Sequence, residues 1–331
     1  MNQGPSGYEP DELPDCSTPR LIKTCYITIK ILSKSIVKNI FLITGGAGFI
    51  GSNLIELLVN KTKFNIISYD DYSTGCINKH IKNDRIKYIK GHTKNIAKII
   101  NKYKNNIHTL FHFAEFSRIH QSFFNIKDCF DSNILGTKNV LEFCLKNKIE
   151  IIYSATSANL GNSGKDENLS PYAFTKANNL KLILNLNKWF GLKYKIIYFY
   201  NVYGPKQIIN SSMAAIIGIF EYHLKKNKPM PVTYPGTQKR NFTHIQDTVE
   251  GCYYAWKNKT GLHYSISSNK SYSIIKVARM FSNKIKLIPP KKGERGTSKL
   301  SNKFLSHKII KLKGKIDIKD YIKDLKRDNQ I

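Results

Sequence analysis

The sequence NIFLITGGAGFIGSN occupies residues 39–53. Its first six residues form a short apolar run that is typical of a buried strand. Four glycines lie among the next seven residues, and the segment SNLIELLVN then spaces its apolar residues as one face of a helix does. This order of strand, glycine-rich turn and helix predicts the beginning of a βαβ unit.

Further apolar segments continue the pattern along the chain. They predict strands at 64–69, 85–89, 109–113, 150–155 and 194–200, with helical patterns between them, notably at 133–146 and 171–189. Alternating strands and helices imply an α/β fold of the Rossmann type, with a doubly wound parallel sheet. Beyond residue 201 the pattern is less regular and predicts a smaller C-terminal substrate-binding lobe.

The expected domain boundaries follow from these patterns. We assign 38–201 to the dinucleotide-binding domain and 202–331 to the substrate-binding lobe, whose strands can interleave with the first domain. We expect residues 1–37 to be an extraneous or disordered N-terminal segment. The part at 5–20 has no hydrophobic period. Codons for Gly7, Tyr8 and Glu9 can resemble the antisense strand of a methionine tRNA gene. Two interpretations therefore stay open: translation from a misplaced start codon, and a disordered tail.

The charge of the chain is unusual. The sequence has 53 Lys and Arg against 23 Asp and Glu, a formal net charge of +30, which permits a nucleic-acid partner. The lysines are scattered along the chain among many Ile and Asn residues, as A/T-rich codons would supply them. We therefore favour coding bias and an anionic substrate, and expect no nucleic-acid partner.

Other compositional features bound the class of protein. No apolar run reaches the roughly 18 residues that cross a bilayer, so we expect no membrane partner. The six cysteines are far apart and form neither a disulfide pattern nor a zinc motif, so we expect no metal. The N-terminal residues lack the basic and apolar regions of a signal peptide, and these features together favour a cytoplasmic protein.

The glycine-rich turn predicts a cofactor site. Gly45 permits the tight turn, Gly48 lets backbone N–H groups approach a pyrophosphate, and Gly51 lets the following helix pack closely on the sheet. The second predicted strand leads directly to Asp70, about twenty residues on, where a carboxylate accepts hydrogen bonds from a free ribose 2′-hydroxyl and repels a 2′-phosphate. The cofactor is therefore expected to be NAD, with Phe49 and Ile50 of the turn beside it.

The motifs taken together resemble a known family. They are TGGAGFIGSN at 44–53, DDYSTG at 70–75, FHFAEFSRIHQS at 111–122, NILGTKNVLEFC at 133–144, YSATSANLG at 153–161, SPYAFTK at 170–176, NVYGP at 201–205 and PGTQKRNFTHIQD at 235–247. Over roughly 38–323 the chain resembles the extended short-chain dehydrogenases, the NAD-dependent epimerase/dehydratase family that includes UDP-glucose 4-epimerase. The motifs are specific for the family and only weakly specific for the substrate.

The resemblance implies a catalytic set. Tyr172 and Lys176 form a Y-x-x-x-K pair whose side chains share one face of a helix. In the family the tyrosine takes a proton from a sugar hydroxyl, and the lysine and the oxidised nicotinamide favour its phenolate form. Thr156 matches the family's catalytic Ser/Thr, which hydrogen-bonds the reacting sugar oxygen, and Ser157 is the fallback and a substrate contact.

The residues after Thr156 bear on the reaction. Sugar dehydratases that resemble this family carry an Asp-Glu pair there, whereas this sequence has Ser157 and Ala158. Without these carboxylates an elimination lacks its acid and base, which favours a nucleotide-sugar epimerase, with a UDP-sugar 4-epimerase serving polysaccharide synthesis as the leading case. The alternatives are a dehydratase, reductase or dehydrogenase of the same family, or a non-catalytic RNA-binding relative.

Further positions are implied by the resemblance. Asn201 and Arg240 match residues that contact the substrate's nucleotide diphosphate, and Phe113 and Ala114 match a strand end beside NAD. The segments 133–146 and 171–189 match helices that pair subunits in this family, so a homodimer is expected.

Some positions depart from the family pattern. Glu115 stands where relatives carry a small neutral residue, and we expect it either to pair with Arg118 or to touch the sugar. His92 replaces an aspartate that faces the adenine. For His112 the sequence leaves two roles open, a packed core histidine and a hydrogen-bonding one.

Overall fold

The computed structural model describes residues 38–157, 166–293 and 308–328. The N-terminal segment 1–37, whose origin the sequence leaves open, lies outside the described residues. Within those three ranges, none of the helices combines the length and the apolar character that a membrane crossing requires.

Eight parallel strands form the main sheet. Their order across the sheet is β3-β2-β1-β4-β5-β6-β11-β14. Their bounds are β1 Ile40–Thr44, β2 Asn65–Asp70, β3 Ile86–Lys90, β4 Ile107–His112, β5 Glu150–Thr156, β6 Tyr194–Phe199, β11 His263–Ser268 and β14 Ile309–Gly314. The strand order reverses between β1 and β4, so the sheet opens a crevice there at its carboxyl edge, where ligands bind in doubly wound folds.

Helices cover both faces of the sheet. The helices before the lobe are α1 Phe49–Lys61, α2 Ile96–Ile100, α3 Ile126–Phe130, α4 Thr137–Lys146 and α5 Pro171–Phe190. One apolar core joins α2, α4 and α5 to the sheet through residues such as Ile100, Leu141 and Ile183, all fully buried. The other face buries Leu54 and Leu58 of α1 against the sheet.

The C-terminal part of the chain builds a lobe and also completes the sheet. Its elements are β7 Val202–Tyr203, α6 Ile216–Lys225, β8 Met230–Thr233, β9 Lys239–Asn241, β10 Thr243–His244, α7 Ile245–Lys257, β12 Ser271–Ser273, α8 Ile274–Phe281, β13 Ile285–Ile288 and α9 Ile318–Asp328. A third apolar core holds α6, α8 and α9 together. Because β11 and β14 return to the main sheet, the C-terminal region interleaves with the first domain.

The six strands predicted from the sequence are present, and each observed boundary lies within two residues of its predicted position. The predicted helix at 133–146 differs in detail. A π-helical turn occupies Asp131–Gly136, and the regular α-helix begins only at Thr137. A Cβ on Gly136 would lie 2.2 Å from the Thr93 Oγ1, so this turn passes very close to its neighbour. Such turns are frequent at functional sites.

Candidate active site

The glycine turn between β1 and α1 is built by close backbone approaches. Gly45 has φ +74°, a conformation that glycine adopts without strain. A Cβ on Gly51 would lie only 2.2 Å from the Gly45 carbonyl oxygen. The first turn of α1 can therefore pack against the glycine turn only because residue 51 has no side chain. The sequence-based roles of these two glycines, a tight turn and close packing, match this geometry.

The start of α1 offers free hydrogen-bond donors. Gly48 is its N-cap, no side chain in the described ranges caps it, and its first turn contains no acidic residue. A helix N-terminus in this state presents backbone N–H groups and a positive dipole end, which suits a pyrophosphate.

Asp70 stands at the end of β2, beside this turn. Its carboxylate accepts hydrogen bonds from the N–H groups of Ala47 at 2.9 Å and of Tyr72 at 2.8 Å. Burial raises the pKa of the Asp70 carboxyl, and these two N–H donors oppose the rise. Each oxygen keeps further acceptor capacity, so the side chain can also accept a ribose hydroxyl.

A single cavity of about 970 Å³ joins the glycine turn to the predicted catalytic residues. Its lining includes every residue assigned from the sequence to the cofactor or to catalysis, namely Gly45, Gly48, Phe49, Ile50, Gly51, Asp70, Phe113, Ala114, Thr156, Tyr172 and Lys176. The uncapped helix start, the glycine cradle and the Asp70 carboxylate fit a dinucleotide that lies across the carboxyl edge of the sheet.

The predicted catalytic residues come from two neighbouring elements. Thr156 is the last residue of β5, whereas Tyr172 lies in the first turn of α5. Ser170 caps α5 by accepting a hydrogen bond from the Ala173 N–H at 3.1 Å, and the Tyr172 N–H donates to the Ser122 Oγ at 3.2 Å. Lys176 follows one helical turn later, so its side chain shares the face of Tyr172.

Glu115 forms an ion pair with Lys176. The expectation that Glu115 pairs with Arg118 is wrong. Arg118 instead donates hydrogen bonds to the carbonyl oxygens of Met213 and Ser117. The ammonium of Lys176 also donates to the Ser154 carbonyl oxygen and lies 4.3 Å from the centre of the Tyr153 ring.

His112 is a hydrogen-bonded core residue with no exposed surface. Its Nδ1 lies 2.7 Å from the Thr44 Oγ1 and its Nε2 lies 2.9 Å from the Thr137 Oγ1. Because the Thr137 hydroxyl donates to Glu115, Nε2 carries the proton and Nδ1 accepts from Thr44. Burial lowers the pKa of His112 to about 4, so the ring is neutral at physiological pH.

Of the three predicted substrate contacts, one lines the cavity and two do not. Asn201 lines the cavity, and its side chain donates to the Asn241 carbonyl oxygen at 2.8 Å. Ser157 is buried and lies outside the set of described residues that line the cavity. Arg240 lies on β9, also outside that set, next to the Asn241 that Asn201 contacts.

Several residues that shape the site escaped the sequence interpretation. Ser122 holds the backbone of Tyr172, and Tyr153 and Asn179 hold Glu115. Ser122 and Tyr153 lie inside motifs that had already been matched to the family, but a motif match gives no hint of their partners.

The fold and the cavity define a dinucleotide-binding protein of the Rossmann type, and the comparisons with known proteins specify it further. The model of the NAD-dependent epimerase/dehydratase family matches residues 41–267. The chain belongs to this family of extended short-chain dehydrogenases, and its cofactor is NAD.

Individual relatives span more than one reaction. The chain is 31% identical over 270 residues to a Methanocaldococcus jannaschii protein with the provisional name UDP-glucose 4-epimerase, covering 76% of this chain and 87% of that protein. It is 28% identical over 272 residues to the dTDP-D-glucose 4,6-dehydratase of Dictyostelium discoideum, covering 73% of this chain and 61% of that protein. In fold it resembles the UDP-glucose 4-epimerase of Thermotoga maritima solved with UDP-glucose, with a TM-score of 0.76 and 20% identity. That match covers 88% of this chain and 100% of the Thermotoga chain.

Proposed function

We propose that this protein is an NAD-dependent epimerase of a nucleotide-activated sugar, with 4-epimerisation of a UDP-sugar as the leading case. The observation that carries the proposal is the assembly of Thr156, Tyr172 and Lys176 on the cavity that also holds the glycine turn and Asp70. With NAD bound to accept the hydride, this set can remove a proton and a hydride from one carbinol and return them.

The proposed reaction divides its work among three side chains. Tyr172 takes the proton of the sugar hydroxyl and holds it while the sugar is a ketone, then gives it back. Thr156 hydrogen-bonds the reacting oxygen, and the Lys176 ammonium orients the cofactor and supports the phenolate. NAD, when bound, supplies reversible acceptance of the hydride from the same carbon.

The carboxylates around the catalytic residues argue against an elimination. The position after Thr156 holds Ser157, which is buried and carries no acid. Glu115 stands beside Lys176, but protein donors already engage both of its oxygens. A carboxylate held in this way is poorly suited to protonate a leaving hydroxide, so the residues favour epimerisation over dehydration.

We assign the nucleotide diphosphate to the lobe side of the cavity. Asn201 lines it, and Arg240 stands on the neighbouring strand β9. An arginine guanidinium suits a diphosphate because it can donate two parallel hydrogen bonds. Ser157 remains a weaker candidate for substrate contact.

We further propose a homodimer that pairs through the helices after β4 and β5. Large apolar side chains stand exposed there: Phe130 is 36% exposed and Phe174 is 42% exposed. Their rings stack with centroids 6.2 Å apart, which forms one apolar patch across α3 and α5. Such a patch would be buried in a contact between two copies.

The experiment is a substrate panel. The full-length protein is incubated with NAD and with UDP-, GDP-, ADP- and dTDP-sugars, and the products are followed by NMR and by absorbance at 340 nm. We expect one sugar to give its epimer without build-up of NADH, and Tyr172→Phe to abolish the conversion. Accumulation of NADH, or a deoxy-keto product, would instead assign a dehydrogenase or a dehydratase.

A further inference from the structure

The ion pair between Glu115 and Lys176 lies inside the catalytic cavity. The two side chains are 3% and 5% exposed, so water screens their interaction very little. Glu115 stands three residues beyond the end of β4, and Lys176 comes from α5, 61 residues later. The fold therefore brings a carboxylate directly to the lysine of the catalytic pair.

Protein donors surround the Glu115 carboxylate. Oε1 accepts from the Tyr153 hydroxyl at 2.9 Å, from the Asn179 amide at 3.0 Å and from the Thr137 hydroxyl at 3.2 Å. Oε2 accepts from the Lys176 ammonium. Four donors, one of them cationic, suit a fixed and ionised carboxylate rather than one that exchanges protons with a substrate.

The backbone around Glu115 is fixed as well. The Phe116 N–H donates to the Asn133 Oδ1 at 2.6 Å, and the Asn133 amide donates back to the Phe116 carbonyl oxygen at 3.1 Å. Asn133 has no exposed surface. The carboxylate is thus held from both its side chain and its main chain, and it holds the ammonium in turn.

This arrangement changes the charge that the cofactor meets. The nicotinamide ring carries a positive charge when oxidised and none when reduced, and in the proposed function it reacts beside Tyr172 and therefore beside Lys176. An unpaired ammonium would oppose the oxidised ring in a site of low dielectric constant. Glu115 offsets that charge.

We propose that Glu115 is a positioning residue that fixes the Lys176 ammonium, offsets its charge and thereby makes the site favour NAD over NADH. The inference rests on the proposed function only in placing the nicotinamide beside Lys176. Arg118 also lines the cavity and adds a second positive charge. Because substitutions of Glu115 leave Arg118 in place, its effect on NAD and NADH binding is the same in the native protein and in those variants.

The test measures the dissociation constants of NAD and NADH by calorimetry, with no sugar present. In Glu115→Gln we expect the ratio of the NAD constant to the NADH constant to rise about tenfold, or about 1.4 kcal/mol. Glutamine keeps the size of the side chain, loses the charge and replaces one acceptor oxygen by an amide donor, and the lost hydrogen bonds should weaken NAD and NADH alike. Glu115→Asp keeps the charge and should leave the ratio near the native value, even where both affinities fall.

Asp131→Asn serves as a matched control. Asp131 lines the same cavity but pairs with Lys94 at 2.8 Å and with Lys127 at 3.0 Å, whereas Lys176 pairs with Glu115, so the loss of Asp131 should not change the ratio. Equal weakening of NAD and NADH in Glu115→Gln would leave Glu115 only a structural role and overturn the inference, as would a changed ratio in Glu115→Asp. A protein that turns over no sugar would refute the proposed function separately, because the ratio is measured without substrate.

Discussion

Replacing His112 should remove part of the protein's sensitivity to mild acid. The imidazole has no exposed surface, and both ring nitrogens are hydrogen-bonded to threonine hydroxyls. The neutral ring completes a directed chain in which Thr44 donates to His112, His112 to Thr137, and Thr137 to Glu115. A proton on Nδ1 would reverse the first of these bonds in a fully buried site, so the folded protein resists protonation.

The size of the effect follows from the pKa of His112. The ordinary histidine value is 6.5, and burial lowers the pKa of His112 to about 4. The unfolded chain therefore takes up a proton below pH 6.5 that the folded protein refuses until about pH 4. The free energy of unfolding falls as the pH drops through this window, by about 3 kcal/mol at about 1.4 kcal/mol per pH unit.

The assay is urea unfolding of the native protein and of His112→Asn at several pH values between 4 and 7. Asparagine can still donate and accept hydrogen bonds but does not titrate. At pH 7 the variant should be less stable, because its shorter side chain fits the two threonines less well, and the gap should shrink by about 3 kcal/mol toward pH 4. A gap of the same size at pH 4 and pH 7 would refute the reasoning, since the other titrating groups are common to both proteins.

Three further predictions address the cofactor and the assembly. Gly51→Ala places a Cβ 2.2 Å from the Gly45 carbonyl oxygen and should abolish NAD binding in calorimetry. As a control, Gly191 has φ +70° and open space around it, so Gly191→Ala should lower the free energy of unfolding by only about 1 kcal/mol, measured by thermal unfolding. Asp70→Asn should weaken NAD binding about tenfold and strengthen NADP binding, measured as two dissociation constants, because we expect the carboxylate to accept the ribose hydroxyl and to repel a 2′-phosphate. Phe174→Glu should convert the proposed homodimer to a monomer in analytical ultracentrifugation; a native protein that already sediments as a monomer would contradict the dimer.

The glycine turn shows how far local sequence information reaches. Gly45 has φ +74°, and Gly51 contacts the turn closely. Both features require a residue without a side chain, so the glycines in the sequence are enough to predict them. The position of Asp70 is equally local, because it ends the strand that follows the first helix. The spacing of Tyr172 and Lys176 on one helix needs no tertiary information either.

The neighbours of Thr156 show where local reasoning stops. Thr156 was expected on the site and lines the cavity, whereas Ser157, its fallback, is buried away from that lining. Ser154, Ala155 and Thr156 at the end of β5 all line the cavity, whereas Ser157 lies just beyond the strand. The motif match favoured Thr156, but only the path of the chain beyond the strand places Ser157 outside the lining.

The amino-acid sequence by itself determined the class of this protein: the parallel sheet, the glycine turn, the position of the Asp70 carboxylate and the spacing of the tyrosine–lysine pair all follow from short-range patterns. Only the tertiary structure decided the partner of Glu115. Arg118 is three residues away along the chain, yet Lys176, 61 residues away, takes the carboxylate. The physical reason is that the ends of β4 and β5 lie side by side in the sheet, with α5 packed over them, and ion pairs form between neighbours in space.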